Sequence, residues 1–473
     1  MQESIYKEFL QLAGFDQEEI ATCLPEWIVA AKKLGLTAED MHYAVREWLP
    51  KHWNLELAGI RKCIGLYIRE VMEITKLHQH KQNGIKVIFG SLPALPFIFQ
   101  AIKRIGGNEV FVSYPDICLV TVLGSFFHKP SVFIEKVDSC TIHAGCSHCG
   151  LVKTRLGAKM TQLIPSPDVI WSWGIACNEA PKMDELINCY LNTDWNAVFS
   201  SVPHDTYLGE VEEENEERCA YIAAQIRDGQ KQIEKVTGIV VSEEQIRSSL
   251  EFVDRFMRKV HYLHDLACHA DPQPLSGNEL SLIGQMMTLP FNTGFAYVEE
   301  ALDLTIKEVE MLIAQKKGSL PAGAPRLGCY FIPFCVPWVE RMFRENGVNL
   351  SFSTFYAATR KLMKPTKYQD PYEIMAAKML RMPGIVNIAY ELDLTFEIIK
   401  ELHPDAMLQG FYNFDRWMGV HHRITTKGME EEMKIPHFYI EGNMWDDRAY
   451  RTEDLKTRVE SISHFLKMNK MIS

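Results

Sequence analysis

Basic charge is scarce in this sequence: 50 Lys and Arg stand against 61 Asp and Glu over 473 residues, for a net charge of −11. Surfaces that bind nucleic acid or anionic lipid headgroups need the opposite balance, so the expected partners include no nucleic acid and no membrane. Long apolar runs are missing as well. The most apolar stretch, Ile85 to Ile102, is broken by Gly90, Pro93 and Pro96 and is too short to cross about 30 Å of hydrocarbon. The opening residues, MQESIYKEFLQLAGFDQEE, lack the cationic start and apolar core of a secretory signal, and the expected location is cytoplasmic. Neither Gly-x-Gly-x-x-Gly nor Gly-x4-Gly-Lys-Ser/Thr occurs, so dinucleotide or ATP binding through those loops is not expected; any ATP would be used by a partner. There is no internal sequence repeat and no low-complexity segment.

Cysteine is the residue present in unusual number. Twelve is far below the density of a disulfide scaffold, yet high for a chain of this length if all were inert. In a reducing compartment, grouped cysteines point to metal or redox chemistry rather than to staples.

The fold class expected from hydrophobic periodicity is α/β, with two Rossmann-like (flavodoxin-like) parallel-sheet domains, a helical N-terminus and a helical middle section. Residues 1–82 read as helical, as in the 3.6-period stripe Ile60-Cys63-Ile64-Tyr67-Ile68-Val71-Met72. A first α/β domain spans 83–208, with strands expected at Ile85–Gly90, Glu109–Ser113, Asp168–Ser172 and Trp195–Ser200. A helical section spans 209–322 and opens on the acidic run Glu210–Arg218, a solvated helix face in its simplest reading. The second α/β domain, 323–473, follows a linker at Pro321–Pro325, with strands expected at Arg326–Ile332, Val348–Phe352, Asp405–Phe411 and Pro436–Ile440.

Six cysteines fall where chemistry is plausible. Cys140-x5-Cys146-x2-Cys149 lies in the loop DSCTIHAGCSHCG, and the Cys-x2-Cys knuckle lets two thiolates reach one metal centre. Cys177 follows a predicted strand and so falls at the carboxyl end of a sheet, where ligands of open α/β folds bind. Cys329 and Cys335, in RLGCYFIPFCVPW, hold the equivalent place in the second domain. Two sheets facing each other across a cleft would bring all six together. Structural zinc wants four ligands, usually as two close pairs, and the spread found here suits an iron–sulfur centre better. Zinc and unrelated buried thiols remain the alternatives. The other six, Cys23, Cys63, Cys118, Cys189, Cys219 and Cys268, read as small buried hydrophobes. His264 and His269 beside Cys268 read as a packed helix rather than a metal site.

At these residues the chain resembles the 2-hydroxyacyl-CoA dehydratase and benzoyl-CoA reductase family. The resemblance is carried by CSHCGLVKTRLG from Cys146 to Gly157, by the Cys177 strand end and by the tail GNMWDDRAYRTEDLKTRVESISHF. It covers roughly residues 83 to 473. One departure stands out: dehydratase subunits of the family place a third cysteine near a late strand, and the stretch LQGFYNFDRWMGVHHR here has none. With six candidate ligands, the chain is most similar to the double-cubane cluster proteins. That resemblance implies a double-cubane [8Fe-9S] cluster, or [4Fe-4S], held by Cys140, Cys146, Cys149, Cys177, Cys329 and Cys335. It further implies an oxygen-sensitive reductase that receives low-potential electrons from an ATP-hydrolysing [4Fe-4S] activator protein and reduces a small molecule or passes electrons on. The alternatives are a 2-hydroxyacyl-CoA dehydratase or benzoyl-CoA reductase subunit acting on a CoA-ester substrate, and a non-catalytic electron relay. A homodimer, or a heterodimer with a related subunit, is implied as well.

Four residues are candidates for substrate or proton handling. His143 and His148 sit inside the cysteine loop, where a near-neutral imidazole suits proton delivery. Arg416 and His421 follow a strand end that should face the same cleft. Lys153 and Arg155, just past the knuckle, either neutralise cluster charge or are solvated helix charges. Asp446, Asp447 and Arg448 read as a cap or ion-pair turn.

Overall fold

The computed structural model describes residues 2–90, 96–129, 132–140, 148–174, 179–191, 193, 195–202, 215–289, 291–330, 336–382, 388–412, 416–443 and 445–472. Two four-stranded sheets organise the chain, both parallel throughout. The first contains β1 (Lys86–Gly90), β2 (Val110–Ser113), β3 (Val169–Gly174) and β4 (Ala197–Ser201), in the order β2-β1-β3-β4. The second contains β5 (Arg326–Cys329), β6 (Asn349–Ser353), β7 (Ala406–Tyr412) and β8 (His437–Gly442), in the order β6-β5-β7-β8. Each is the flavodoxin-like winding, with its switch point between the first and third strands. The strands read as near-continuous apolar runs because both faces of a parallel sheet are covered: β2 is buried at every position, as are the first five residues of β3.

The two sheets also repeat a local device. Asp168, just before β3, accepts from Val87 N at 2.7 Å while its own N–H bonds Val87 O at 2.8 Å. Asp405, just before β7, does the same with Arg326, accepting from its N–H at 2.7 Å and donating to its carbonyl at 2.8 Å. The topology is thus duplicated where the sequence shows no repeat.

The helical N-terminus and the helical middle section pack as one layer. The stripe expected from Ile60 to Met72 lies on the helix Ala58–Ile74 with every member buried. That helix crosses Phe295–Ala314 so closely that a Cβ on Gly59 would overlap Thr305. Its first N–H groups, which no helical carbonyl can satisfy, are taken by Glu308 of the crossing helix (Ala58 N at 2.8 Å, Gly59 N at 2.9 Å). The longest helix, Glu243–His269, starts at a reciprocal Ser242–Gln245 cap and buries Leu250, Val253, Phe256, Val260 and Leu263. Each such apolar side chain contributes about 1.5–3 kcal/mol on burial.

The middle section also covers sheet edges. Asn292 pairs with both backbone groups of Val112, accepting from its N–H at 2.8 Å and donating to its carbonyl, as a neighbouring strand would. Against β6, Gly277 packs on the Leu350 carbonyl, and Ser319 donates to Asn349 at 3.0 Å. On the opposite edge of the first sheet, Gln225 pairs with β4 in the same way, accepting from Ser201 N at 2.8 Å and donating to the Ser201 carbonyl at 2.6 Å.

Some expectations are corrected here. β5 ends at Cys329, where the apolar run suggested a strand to Ile332; residues 331 and 332 lie outside the described set. The acidic run is helical only from Glu216, capped by Asn215, and residues 210–214 are outside the described set. Cys189 is exposed rather than buried, and Cys23 is half-buried, whereas Cys63, Cys118, Cys219 and Cys268 are buried as expected. Cys268 donates to the Ser351 carbonyl at 3.3 Å and packs on His264, while His269 is exposed. Among the described residues, no helix is long and apolar enough to cross a membrane.

Candidate functional site

The switch points place the cysteines. β1 and β3 are neighbours in the first sheet, and Cys177 follows the end of β3 at Gly174 by three residues. Cys329 is the last residue of β5, whose neighbour β7 makes the corresponding switch in the second sheet. Of the six candidate ligands, Cys146, Cys177 and Cys335 lie outside the described residues, as does His143. The other three are described. Cys149 is buried at 8% exposure and forms the N-cap of the helix Gly150–Met160, its carbonyl accepting from Lys153 N at 3.0 Å. The positive end of that helix favours negative charge at this point. Cys329 is fully buried, and Cys140 is half-buried with its thiol donating to the Val137 carbonyl at 2.8 Å.

Glu179 links two of the cysteine segments. It opens the helix Glu179–Leu191, two residues past Cys177, and is buried. Its Oε2 accepts from His148 Nδ1 at 2.9 Å and from Cys149 N at 3.4 Å, and its Oε1 pairs with Lys182. Burial alone would raise this carboxyl, but the hydrogen bonds from His148 and Lys182 outweigh it and hold Glu179 below the usual carboxylate range. His148 is therefore oriented by a carboxylate directly beside Cys149, as metal-site histidines commonly are.

A second set of contacts ties the tail turn to the same helix. Gly150 packs against the backbone of Trp445, with room for no side chain: a Cβ would lie 2.8 Å from the Trp445 carbonyl oxygen. Asp138 takes Lys153 Nζ at 2.8 Å with one oxygen and Arg448 Nη2 at 2.8 Å with the other. Arg448 in turn grips Asp446 through two nitrogens, both at 2.7 Å. Asp447 meets His128 at 3.0 Å and accepts from Trp338 Nε1 at 3.0 Å. The turn Asp446–Arg448 is an ion-pair and capping turn, as its composition suggested.

The reading of the charges past the knuckle as solvated is corrected. Arg155 is fully buried and pairs with Asp116 at 2.8 Å and Asp184 at 2.9 Å. Lys153 is buried against Asp138. The helix needs its charged face because it is enclosed on several sides; Gly157 lies on the Phe133 carbonyl with no space for a Cβ. Arg416 and His421 lie on the helix Arg416–Gly428, which begins four residues after β7 ends. Nearby, His422 reaches Gln409 Oε1 at 3.4 Å. Beside Cys329, Tyr330 donates to the buried Glu391 at 2.5 Å. Sequence reasoning did not single out Glu179, Asp138 or His128; the only signal was closeness to Cys177 and Cys140 for the first two.

Two flavodoxin-like units place the chain among the open parallel α/β proteins, a class whose ligands bind outside the carboxyl ends of the strands at the switch points. Within that class the chain belongs to the family of the 2-hydroxyglutaryl-CoA dehydratase D-component, whose sequence model matches residues 134–466. It is similar to the (R)-phenyllactyl-CoA dehydratase alpha subunit of Clostridium sporogenes, 22% identical over 337 residues, which is 69% of this chain and 77% of that one. It is similar also to the (R)-2-hydroxyisocaproyl-CoA dehydratase alpha subunit of Clostridioides difficile, 22% identical over 66% of this chain and 74% of that one. The (R)-2-hydroxyglutaryl-CoA dehydratase subunit alpha of Acidaminococcus fermentans matches at 22% over 65% of this chain and 62% of its own length. These relatives are dehydratases. They favour the dehydratase reading of the sequence over the reductase one.

The donor chemistry fits an iron–sulfur centre in kind. Cys149 is a buried thiol at the positive end of a helix, and Cys329 is a buried thiol at a switch point. Among the described residues, no group of three His, Cys, Asp or Glu side chains stands ready for a metal ion.

Proposed function

We propose that the chain is a subunit of a 2-hydroxyacyl-CoA dehydratase-type enzyme, acting on a CoA ester together with a related partner subunit. One observation carries this reading: the family match runs from residue 134 to residue 466, over β3, β4, the whole second sheet and every candidate cysteine. Cys149 and Cys177 would hold an iron–sulfur centre from the first sheet. With no cysteine in LQGFYNFDRWMGVHHR, further thiolates would come from Cys140, Cys146, Cys329 or Cys335. When bound, such a centre supplies one-electron chemistry at low potential. The chain's own part is to hold the thiolates, to exclude water around the buried Cys149 and to orient His148 through Glu179. Electrons would come from a separate ATP-hydrolysing activator, since the sequence has no P-loop.

A second reading, a double-cubane reductase, is favoured by one specific feature of the sequence: Cys329 and Cys335 in the second α/β domain, in addition to the four cysteines of the first. Anaerobic iron and sulfide quantitation separates the two. About four irons per chain supports the dehydratase type, about eight supports the double cubane, and one or two zinc ions would overturn both.

A further inference from the structure

We propose that the turn Trp445–Arg448 after β8 is a positioning element for Cys149, anchored by the Arg448–Asp138 pair and seated on Gly150. What Cys149 holds rests on the iron–sulfur reading above; the contacts themselves do not.

Three contacts converge on the turn from different elements. The Trp445 carbonyl fills the space where Gly150 would carry a side chain, so the turn lies directly on the residue after Cys149. Asp138 precedes the cysteine loop and receives Lys153 from the helix that Cys149 caps and Arg448 from the turn, both at 2.8 Å. Asp447 is held at 3.0 Å by Trp338 from the second sheet's side and by His128 from the first. His128 has the left-handed backbone value φ 48, uncommon for a residue other than glycine, and is stacked on Trp48 at 4.0 Å. A strained residue clamped on one face by a tryptophan and on its edge by a carboxylate is over-determined.

The consequence is mechanical. The turn leaves the carboxyl end of β8, while Cys149 starts a helix that leads into β3. Moving the second sheet away from the first would break the Arg448–Asp138 bond and lift the Trp445 carbonyl from Gly150, releasing the N-cap. Cys149 is thereby placed relative to the second sheet as well as the first. Arg448 and Asp138 are positioning residues, acting through Cys149.

The test uses the full chain, reconstituted with iron and sulfide without oxygen, as wild type, Arg448→Gln, Asp138→Asn, the double variant and Gly150→Ala. Three readouts are taken: iron release to a chelator, the electron paramagnetic resonance spectrum of the reduced protein, and the thermal midpoint. Arg448→Gln should speed iron release by about fivefold and alter the spectrum at an unchanged midpoint, and the double variant should add little to the larger single effect because the pair acts as one unit. Gly150→Ala should also speed release and alter the spectrum without touching a charge, at a midpoint lowered by the added Cβ against the Trp445 carbonyl. Wild-type release and spectrum in both Arg448→Gln and Gly150→Ala would overturn the proposal. So would iron loss in Arg448→Gln that only tracks a fallen midpoint. Should the wild type take up no iron, the iron–sulfur reading fails, and hydrogen exchange of Leu151–Arg155 in the metal-free chain judges the turn alone: faster exchange in Arg448→Gln supports it, and unchanged exchange overturns it.

Discussion

Glu179 accepts a hydrogen bond from His148 Nδ1 at 2.9 Å, with both side chains buried, and so joins the segment after β3 to the loop before Cys149. The carboxylate carries a depressed pKa despite its burial, so it is ionised at neutral pH. The sign follows: its contribution is present above the unfolded carboxyl range and is lost as acid protonates it in the folded state. Glu179→Ala leaves a buried imidazole and the Cys149 N–H without their acceptor. It should cost about 1–3 kcal/mol, while Glu179→Gln, which keeps an accepting oxygen, should cost less. Urea midpoints of the metal-free chain check both.

Arg155 stands between Asp116 and Asp184 with all three side chains essentially out of solvent. Removing the cation strands two buried carboxyls, so Arg155→Met should cost about 3–5 kcal/mol, near the upper range for a point change. A denaturation midpoint close to wild type would contradict this.

The same cluster makes a pH prediction. Burial pushes Asp184 up from 3.8 to about 6, with Arg155 opposing the rise. Between those values the folded state binds the proton more tightly than the unfolded one, so this group makes stability fall as pH rises from 3.8 toward about 6. Asp184→Asn should remove that slope, seen as a flatter plot of urea midpoint against pH over the same window.

The eight strands were legible from the sequence because each parallel strand is a short apolar run closed by glycine or a polar residue, as in Lys86–Gly90. So was the pair of flavodoxin-like domains; the carboxylate device that the two sheets share was not. Asp168 and Asp405 do the same work in the two sheets, yet all that the two sites share in sequence is a Pro-Asp pair just before the strand, since the device needs only one carboxylate and a backbone. The cysteine loop was legible by spacing. The charges next to it were misread, because a helix enclosed on all sides carries arginine for its buried partners, and those partners, Asp116 and Asp184, are 39 and 29 residues away along the chain. Cys189 fits the same rule in reverse: an isolated cysteine in an apolar helix pattern says nothing about which face it takes.

Helix packing gives a steric prediction. A Cβ on Gly157 would sit 2.0 Å from the Phe133 carbonyl oxygen, a backbone atom that cannot swing aside, whereas a Cβ on Gly124 would meet nothing within 4 Å. Gly157→Ala should therefore force apart the helices Val132–Asp138 and Gly150–Met160 and cost about 1–3 kcal/mol. Gly124→Ala, at a backbone that alanine adopts without strain, should be neutral or slightly stabilising. Paired thermal melts read the contrast, and equal effects of the two changes would contradict the helix contact.

The cysteines themselves sort by substitution. Cys149→Ser removes a thiol at the cap of the helix that carries the family motif, and it should abolish most of the iron bound after anaerobic reconstitution. Cys189→Ser changes an exposed thiol on the outer face of Glu179–Leu191 and should leave iron and stability as they were. Cys329→Ser is the informative member. Because no cysteine follows β7, a thiolate from the second sheet has to come from Cys329 or Cys335, and iron content should fall in the Cys329 variant. A fall from about eight irons to about four would place a separate cubane on the second sheet, and a fall from about four toward none would place Cys329 among the ligands of a single shared centre. Iron content equal to wild type would remove Cys329 from the ligand set and leave the second sheet's contribution to Cys335 alone.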